Sequence, residues 1–208
     1  MLTVGVVDYG VGNIGSLSRA LSVCGAKPLV TDREVDFKIV DACVLPGVGA
    51  FKDAMDLLRA RNLDKILEDQ ILAHDIPILG VCLGMQLLAS KGMEHGEHDG
   101  LNWVPGSVVP LVPKNRERIP HVGWNNVEYD APNPLLADIP PGEDFYFVHS
   151  YHFVAENPNH VAATTPYCGD FTSVINNGSI YGTQFHPEKS QAIGLKLLKN
   201  FIRIAGEF

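Results

Sequence analysis

The sequence predicts a single α/β domain spanning residues 1–208, with a central, mostly parallel sheet flanked by helices and antiparallel strands in the C-terminal half. Three observations predict it. Short apolar runs alternate with segments of helical period through the first half, as in β-α-β units. In the second half the runs shorten and are separated by Pro, Asn and Gly, which favours antiparallel neighbours. Finally, 208 residues with 46% hydrophobic side chains can bury one sizeable core without demanding a second.

Composition narrows the function classes. A formal charge of −8 with no basic stripe argues against a nucleic-acid partner. No apolar run approaches the ~18 residues that suggest a membrane span. Met1 to Val7 is too short for a secretory signal, so a soluble, cytoplasmic protein is expected. Cys24, Cys43, Cys82 and Cys168 are widely spaced without a Cys-x-x-Cys pair, which suggests neither a zinc site nor a disulfide framework. No metal or other cofactor is expected.

In chain order, Leu2 to Asp8 reads as a strand, Ile14 to Cys24 as a helix carrying Leu17 and Leu21, and Lys27 to Thr31 as a strand. The turn Gly10-Val11-Gly12-Asn13-Ile14-Gly15 matches the dinucleotide fingerprint, with Asp32 where a ribose-binding acid would be sought. Any tight strand-to-helix turn selects glycine, however, and Asp8, Tyr9 and Asn13 suggest a loop with its own polar task. Asp41 to Leu45 is the third strand, leading into Pro46-Gly47-Val48-Gly49 and then helical segments through His74. A glycine-rich loop at a strand end exposes backbone N–H groups, which makes Gly47, Val48 and Gly49 candidates for an oxyanion site, with the N–H of Leu83.

The centre of the chain is Pro77-Ile78-Leu79-Gly80-Val81-Cys82-Leu83-Gly84-Met85-Gln86-Leu87-Leu88. It reads as a buried strand, then a helix with Leu83, Gln86, Leu87 and Ser90 at helical spacing. Gly80-x-Cys82-x-Gly84 is the cysteine version of the nucleophile elbow, a sharp turn that lifts the side chain clear of the sheet. At a helix N-terminus, unpaired N–H groups and the dipole favour thiolate, the nucleophilic form. Lys91 to Gly100, with His95-Gly96-Glu97-His98, reads as a solvated loop and not a metal site.

Further strands are expected around Ser107 to Leu111, Asn126 to Tyr129, Asp144 to Val148, Val161 to Thr165 and Thr172 to Ile175. Asn177-Gly178 predicts a tight type I′ hairpin into Ser179 to Phe185. Ser190 is placed as the N-cap of a closing helix whose apolar face is Ile193, Leu197, Leu198 and Phe201. A cysteine nucleophile needs a base, and the base needs an orienting acceptor; His186-Pro187-Glu188 supplies both. In extended chain Glu188 lies on the same side as His186, within reach of its ring.

Gly80-x-Cys82-x-Gly84-x-Gln86 followed far along the chain by His186-Pro187-Glu188 resembles the class I glutamine amidotransferases. The resemblance implies Cys82 as nucleophile, His186 as base and acid, Glu188 as orienter, the Pro46 to Gly49 loop as oxyanion site, and Gln86, Ser150 and Tyr151 as glutamine contacts. The products would be glutamate and ammonia, formed through a γ-glutamyl thioester. Asp8-Tyr9-Gly10-x-Gly12-Asn13, Pro120-His121-x-Gly123-Trp124-Asn125 and Tyr146-Phe147-Val148-His149-Ser150-Tyr151 are similar to the branch of that family that serves a cyclase. That implies an obligate heterodimer with a (β/α)8-barrel cyclase, which uses the ammonia to make imidazole glycerol phosphate and aminoimidazole carboxamide ribotide for histidine synthesis. It puts Asn13, His121 and Trp124 at the interface. On pattern alone, Pro120 to Asn125 would be a turn and Tyr146 to Tyr151 a core strand. An amidotransferase subunit serving a different ammonia acceptor is the alternative.

Overall fold

The structure, a computed structural model, describes residues 1–207. Its first half is a run of strand-helix units: β1 (Thr3–Val7), α1 (Ile14–Val23), β2 (Lys27–Thr31), α2 (Glu34–Phe37), β3 (Ala42–Leu45), α3 (Phe51–Ala60) and α4 (Leu63–Glu68). After a π-helical turn come β4 (Ile78–Val81) and the short α5 (Leu83–Leu87). The second half holds β5 (Lys91–Gly92), β6 (His98–Asp99), β7 (Gly106–Pro110), β8 (His121–Val127), β9 (Glu143–His149), β10 (Tyr151–Ala155), β11 (Val161–Pro166), β12 (Asp170–Asn177), β13 (Ile180–Thr183) and the closing α6 (Gln191–Ala205).

The main sheet runs β2-β1-β3-β4-β13-β12-β10-β7-β5-β6, with β11 attached to β12. Its first five strands are parallel and β12 turns the sheet antiparallel. Of the parallel strands, β1, β3, β4 and β13 are buried on both faces, as continuous apolar runs such as β3 and β4 require, while β2 at the edge is partly exposed. In β3, Ala42 and Val44 belong to the core layer that holds Leu17 and Leu21 of α1 and Leu197 and Phe201 of α6, while Cys43 and Leu45 belong to the layer that holds residues of α3 and α4. Fully burying each such leucine or phenylalanine contributes about 1.5–3 kcal/mol.

Four local expectations are corrected. The stretch Pro120 to Asn125 is not a turn: His121 to Val127 form β8, which pairs with β9 in a separate two-stranded sheet. Val122 and Trp124 are exposed on β8 while His121 is buried, so the strand carries no apolar inner face to announce it. The β12–β13 turn sits one residue later than predicted. Asn177 pairs with Ile180, and only Gly178 of the two turn residues has positive φ, as in a type II′ turn. Helix α5 stops at Leu87, because the carbonyls of Leu87 and Leu88 accept from the N–H groups of Leu101, Trp103 and Val104. Within 91–100, β5 and β6 form a small hairpin where a loop was expected.

Backbone meets backbone where the elbow packs on β3. A Cβ on Gly84 would lie 1.8 Å from the Leu45 carbonyl oxygen. Gly84→Ala is therefore expected to lower stability by at least about 3 kcal/mol or to prevent folding. Gly15, in α1, has no atom within 4 Å of such a Cβ. Gly15→Ala should leave the denaturation midpoint unchanged or raise it slightly, and equal midpoints for the two variants would refute this packing argument.

Candidate active site

Two neighbouring parallel strands deliver the chemistry to one sheet edge. Thr183 of β13 stands beside Val81 of β4, and the Cys82 N–H donates to the Thr183 carbonyl at 2.8 Å. Cys82 has φ 54° and ψ −110°, a region that L residues rarely occupy. Such strain persists only where the surroundings over-determine it, and here β4, α5 and the Gly84 contact with β3 do so. With five residues, α5 offers the sulfur a helix N-terminus of little more than one turn.

His186 follows β13 and is 2% exposed. Its Nδ1 lies 2.9 Å from Glu188 Oε1. His186 is extended as expected, at φ −100° and ψ 97°, but Pro187–Lys189 form a 3-10 turn, in which proline takes the first position that its fixed φ suits. Ser190 occupies the N-cap position of α6 without capping it; its hydroxyl donates to the His186 carbonyl at 2.6 Å and accepts from the Tyr146 N–H at 3.0 Å. Asn13 likewise leaves α1 uncapped and donates from Nδ2 to Glu188 Oε1 at 3.2 Å. Burial alone would push the His186 imidazole down; the nearby Cys82 and Glu188 outweigh it and hold the group up at about 9. Burial would raise Glu188, but His186 and Asn13 hold it below the usual carboxylate range. His186 Nε2 makes no hydrogen bond of ordinary geometry within the described residues, leaving it free to exchange a proton with a reacting group.

Cys82 and His186 open into a cavity of about 470 Å³, also lined by Val48, Gly49, Leu83, Gln86, Ser150 and Tyr151. Tyr9 braces the loop below it, donating from its hydroxyl to the Pro46 carbonyl at 2.7 Å. Gly47 is not on the cavity wall; a Cβ there would meet Gly84 N and Leu83 Cβ, so it is where the loop lies against the elbow. Gln86 spends its amide hydrogens on the Tyr151 carbonyl at 3.0 Å and Gln184 Oε1 at 2.9 Å, which leaves Oε1 for a ligand. A buried thiol with an imidazole and carboxylate behind it, facing an amino-acid-sized cavity, can perform thiol acyl transfer.

The profile of the family described as "Glutamine amidotransferase class-I" matches residues 5–205. The chain belongs to the class I glutamine amidotransferases. It is 43% identical to the imidazole glycerol phosphate synthase subunit HisH of Salinibacter ruber, over 94% of this chain and 92% of that one. It is 40% identical to the subunit of the same name from Geobacillus sp., over 97% and 96%. Among solved structures, a Thermoplasma acidophilum protein assigned as a GMP synthase subunit superposes with a TM-score of 0.74 at 25% identity, over 100% of this chain and 95% of that one.

The candidate site contains residues that sequence reasoning missed. Glu94, from the stretch read as a solvated loop, lines the cavity and accepts from the Phe51 N–H at 2.7 Å through Oε2. Gln184 donates from Nε2 to the Cys82 sulfur at 3.7 Å. Its position two residues before His186 was the available signal. Lys189 also lines the cavity and lies 5.8 Å from the Tyr146 ring centroid. The apparent dinucleotide fingerprint serves the site instead: Gly12, at φ +128°, lets the loop pack on Pro46, and Asp32 pairs with Arg61. Of the residues assigned to an interface, Trp124 is 47% exposed, Asn13 lies behind the Glu188 carboxylate, and His121 is 3% exposed inside the amidotransferase.

Proposed function

We propose that this chain is the glutaminase subunit of an imidazole glycerol phosphate synthase, releasing ammonia from glutamine for a cyclase partner in histidine biosynthesis. The observation that carries the chemistry is the unpartnered Nε2 of His186, with Glu188 on the other ring nitrogen and Cys82 on the strained elbow alongside. The Cys82 thiolate attacks the γ-carboxamide carbon of glutamine, and the oxygen takes up the charge near the N–H groups of Val48, Gly49 and Leu83. Imidazolium gives its proton to the departing ammonia as the C–N bond breaks, leaving a thioester. His186 then takes a proton from water, whose oxygen attacks the thioester and releases glutamate and Cys82. Glu94 and Lys189, of opposite charge on the cavity wall, suit the zwitterionic end of an amino acid.

The relatives are named as one subunit of imidazole glycerol phosphate synthase, which supports a second subunit that uses the ammonia, and the surface supports a docking partner. Val48, Ile119, Val122, Trp124 and Val148 are each at least one-third exposed, and Val48 and Val148 also line the cavity. Apolar side chains around a cavity mouth fit a partner that covers it and keeps ammonia from bulk water, where it would be protonated. In this reading the partner is a (β/α)8 barrel and the heterodimer is obligate. No helix among the described residues is long and apolar enough to cross a membrane.

The test is glutamine hydrolysis by the chain alone, with the cyclase, and with the cyclase plus its ribotide substrate. The liganded complex should be at least about tenfold faster than the chain alone, roughly 1.4 kcal/mol of barrier. An isolated chain already at the complex's rate would overturn the gated-subunit reading. A panel of other ammonia acceptors in place of the ribotide separates this subunit from one serving a different synthase.

A further inference from the structure

Two histidines outside the triad lie buried beside the site, His121 at 3% and His149 at 6% exposure. His121 is stacked on Tyr167 at 3.9 Å and Phe147 at 5.0 Å between ring centroids, a place that a phenylalanine could fill. A buried imidazole is favourable there only if its nitrogens are hydrogen-bonded. They are, and in one direction. His149 Nδ1 lies 2.8 Å from the Tyr151 carbonyl, which can only accept, so Nδ1 carries the proton. In the neutral ring Nε2 is then an acceptor, and His121 Nδ1, 3.0 Å away, must donate to it. His121 Nε2 is left to accept, and Asn125 Nδ2 donates to it at 3.3 Å. Burial pushes His149 down to about 3 and His121 to about 4, in keeping with two neutral rings.

The relay ends on a carbonyl at the centre of the site. Tyr151 O also accepts from Gln86 Nε2, so two donors hold it, and Gln86 connects through Gln184 to the Cys82 sulfur. The His149 bond spans the break between β9 and β10 at Ser150, and Ser150 and Tyr151 form one wall of the cavity. We infer that His121 and His149 are positioning residues, a one-way hydrogen-bond relay from β8 that sets the Ser150–Tyr151 wall against which glutamine binds. The inference rests on the amidotransferase reading for the identity of that ligand and adds to it the residues that shape the pocket.

The experiment compares two reagents on the full chain: a chloroketone analogue of glutamine, which needs the pocket, and iodoacetamide, which needs only an accessible Cys82. The readout is the ratio of their second-order rate constants at Cys82. His149→Phe keeps a ring and removes the bond to Tyr151, and should lower the ratio about tenfold. His149→Asn, whose Nδ2 can take the place of Nδ1, should recover it to within about threefold of the parent. His121→Phe keeps the stack, removes one donor, and should lower the ratio about threefold. A ratio that stays at the parental value in folded His149→Phe overturns the inference, as does a parallel fall in both rate constants. If His149→Phe does not fold, an unchanged ratio in His121→Phe overturns it. A parent chain with no preference for the glutamine analogue would instead sink the amidotransferase reading, and this inference with it.

Discussion

Replacing Cys82 by serine is expected to leave the fold standing and to lower glutamine hydrolysis at least about a thousandfold, roughly 4 kcal/mol of barrier. Serine keeps the shape of the side chain, so the φ of 54° and the packing of the elbow against Leu45 are unchanged. It loses the thiol, whose ionised form is far more accessible near neutral pH than that of a hydroxyl. Circular dichroism and the thermal midpoint should match the parent while turnover disappears. Retention of a tenth or more of the activity would reject Cys82 as nucleophile. The same assignment predicts that an electrophilic glutamine analogue labels Cys82 before Cys24, Cys43 or Cys168. Cys43 is wholly buried and pushed up to about 12 by that burial, which makes it inert.

His186→Ala is expected to cost about a thousandfold in acyl transfer, whereas Glu188→Gln should cost about ten- to a hundredfold. In the proposed mechanism the imidazole moves the proton, and the carboxylate orients the ring and stabilises its charged form. A glutamine at 188 can still accept from Nδ1 through its amide oxygen, but it removes the negative charge. The pH dependence follows from the same pair. The folded-state value for His186 is raised to about 9, so the imidazolium persists well above its ordinary range near 6.5. Its contribution to stability is fully present below about 6.5 and fades as pH rises through about 9. Imidazole resonances followed by NMR should titrate near 9 in the parent and at lower pH in Glu188→Gln. Equal and negligible rate losses in both variants, or an unmoved titration, would remove Glu188 from the triad.

Much of this site was legible before folding because its signals are local. The Gly-x-Cys-x-Gly spacing of the elbow is read within five residues, although only Gly80 is required by contacts so near in sequence, with Gly84 and Met85, and strand-helix alternation follows from apolar periodicity. The His-Pro-Glu tripeptide placed base and orienter together, although a 3-10 turn and not an extended chain makes the contact. Local propensity says little about polar groups whose partners are distant. Asn13 reaches Glu188 across 175 positions of sequence, Gln184 reaches Cys82 across 102, and neither contact leaves a periodicity to read.

By itself, then, the sequence determined the strand-helix alternation of the first half and put Cys82 on a tight turn and His186 beside Glu188. These depend on backbone sterics and on the burial of regularly spaced apolar side chains. Only the tertiary structure decided that β8 and β9 stand apart from the main sheet and that Glu94 faces the cavity from a polar stretch. It also decided that His121 is buried against His149 and that Asn13 holds the Glu188 carboxylate in place of capping its own helix. Each of these is a hydrogen bond or strand pairing between distant segments. Such contacts become favourable only after the core has brought their partners together, because the loop-closure entropy is met by burial elsewhere in the chain.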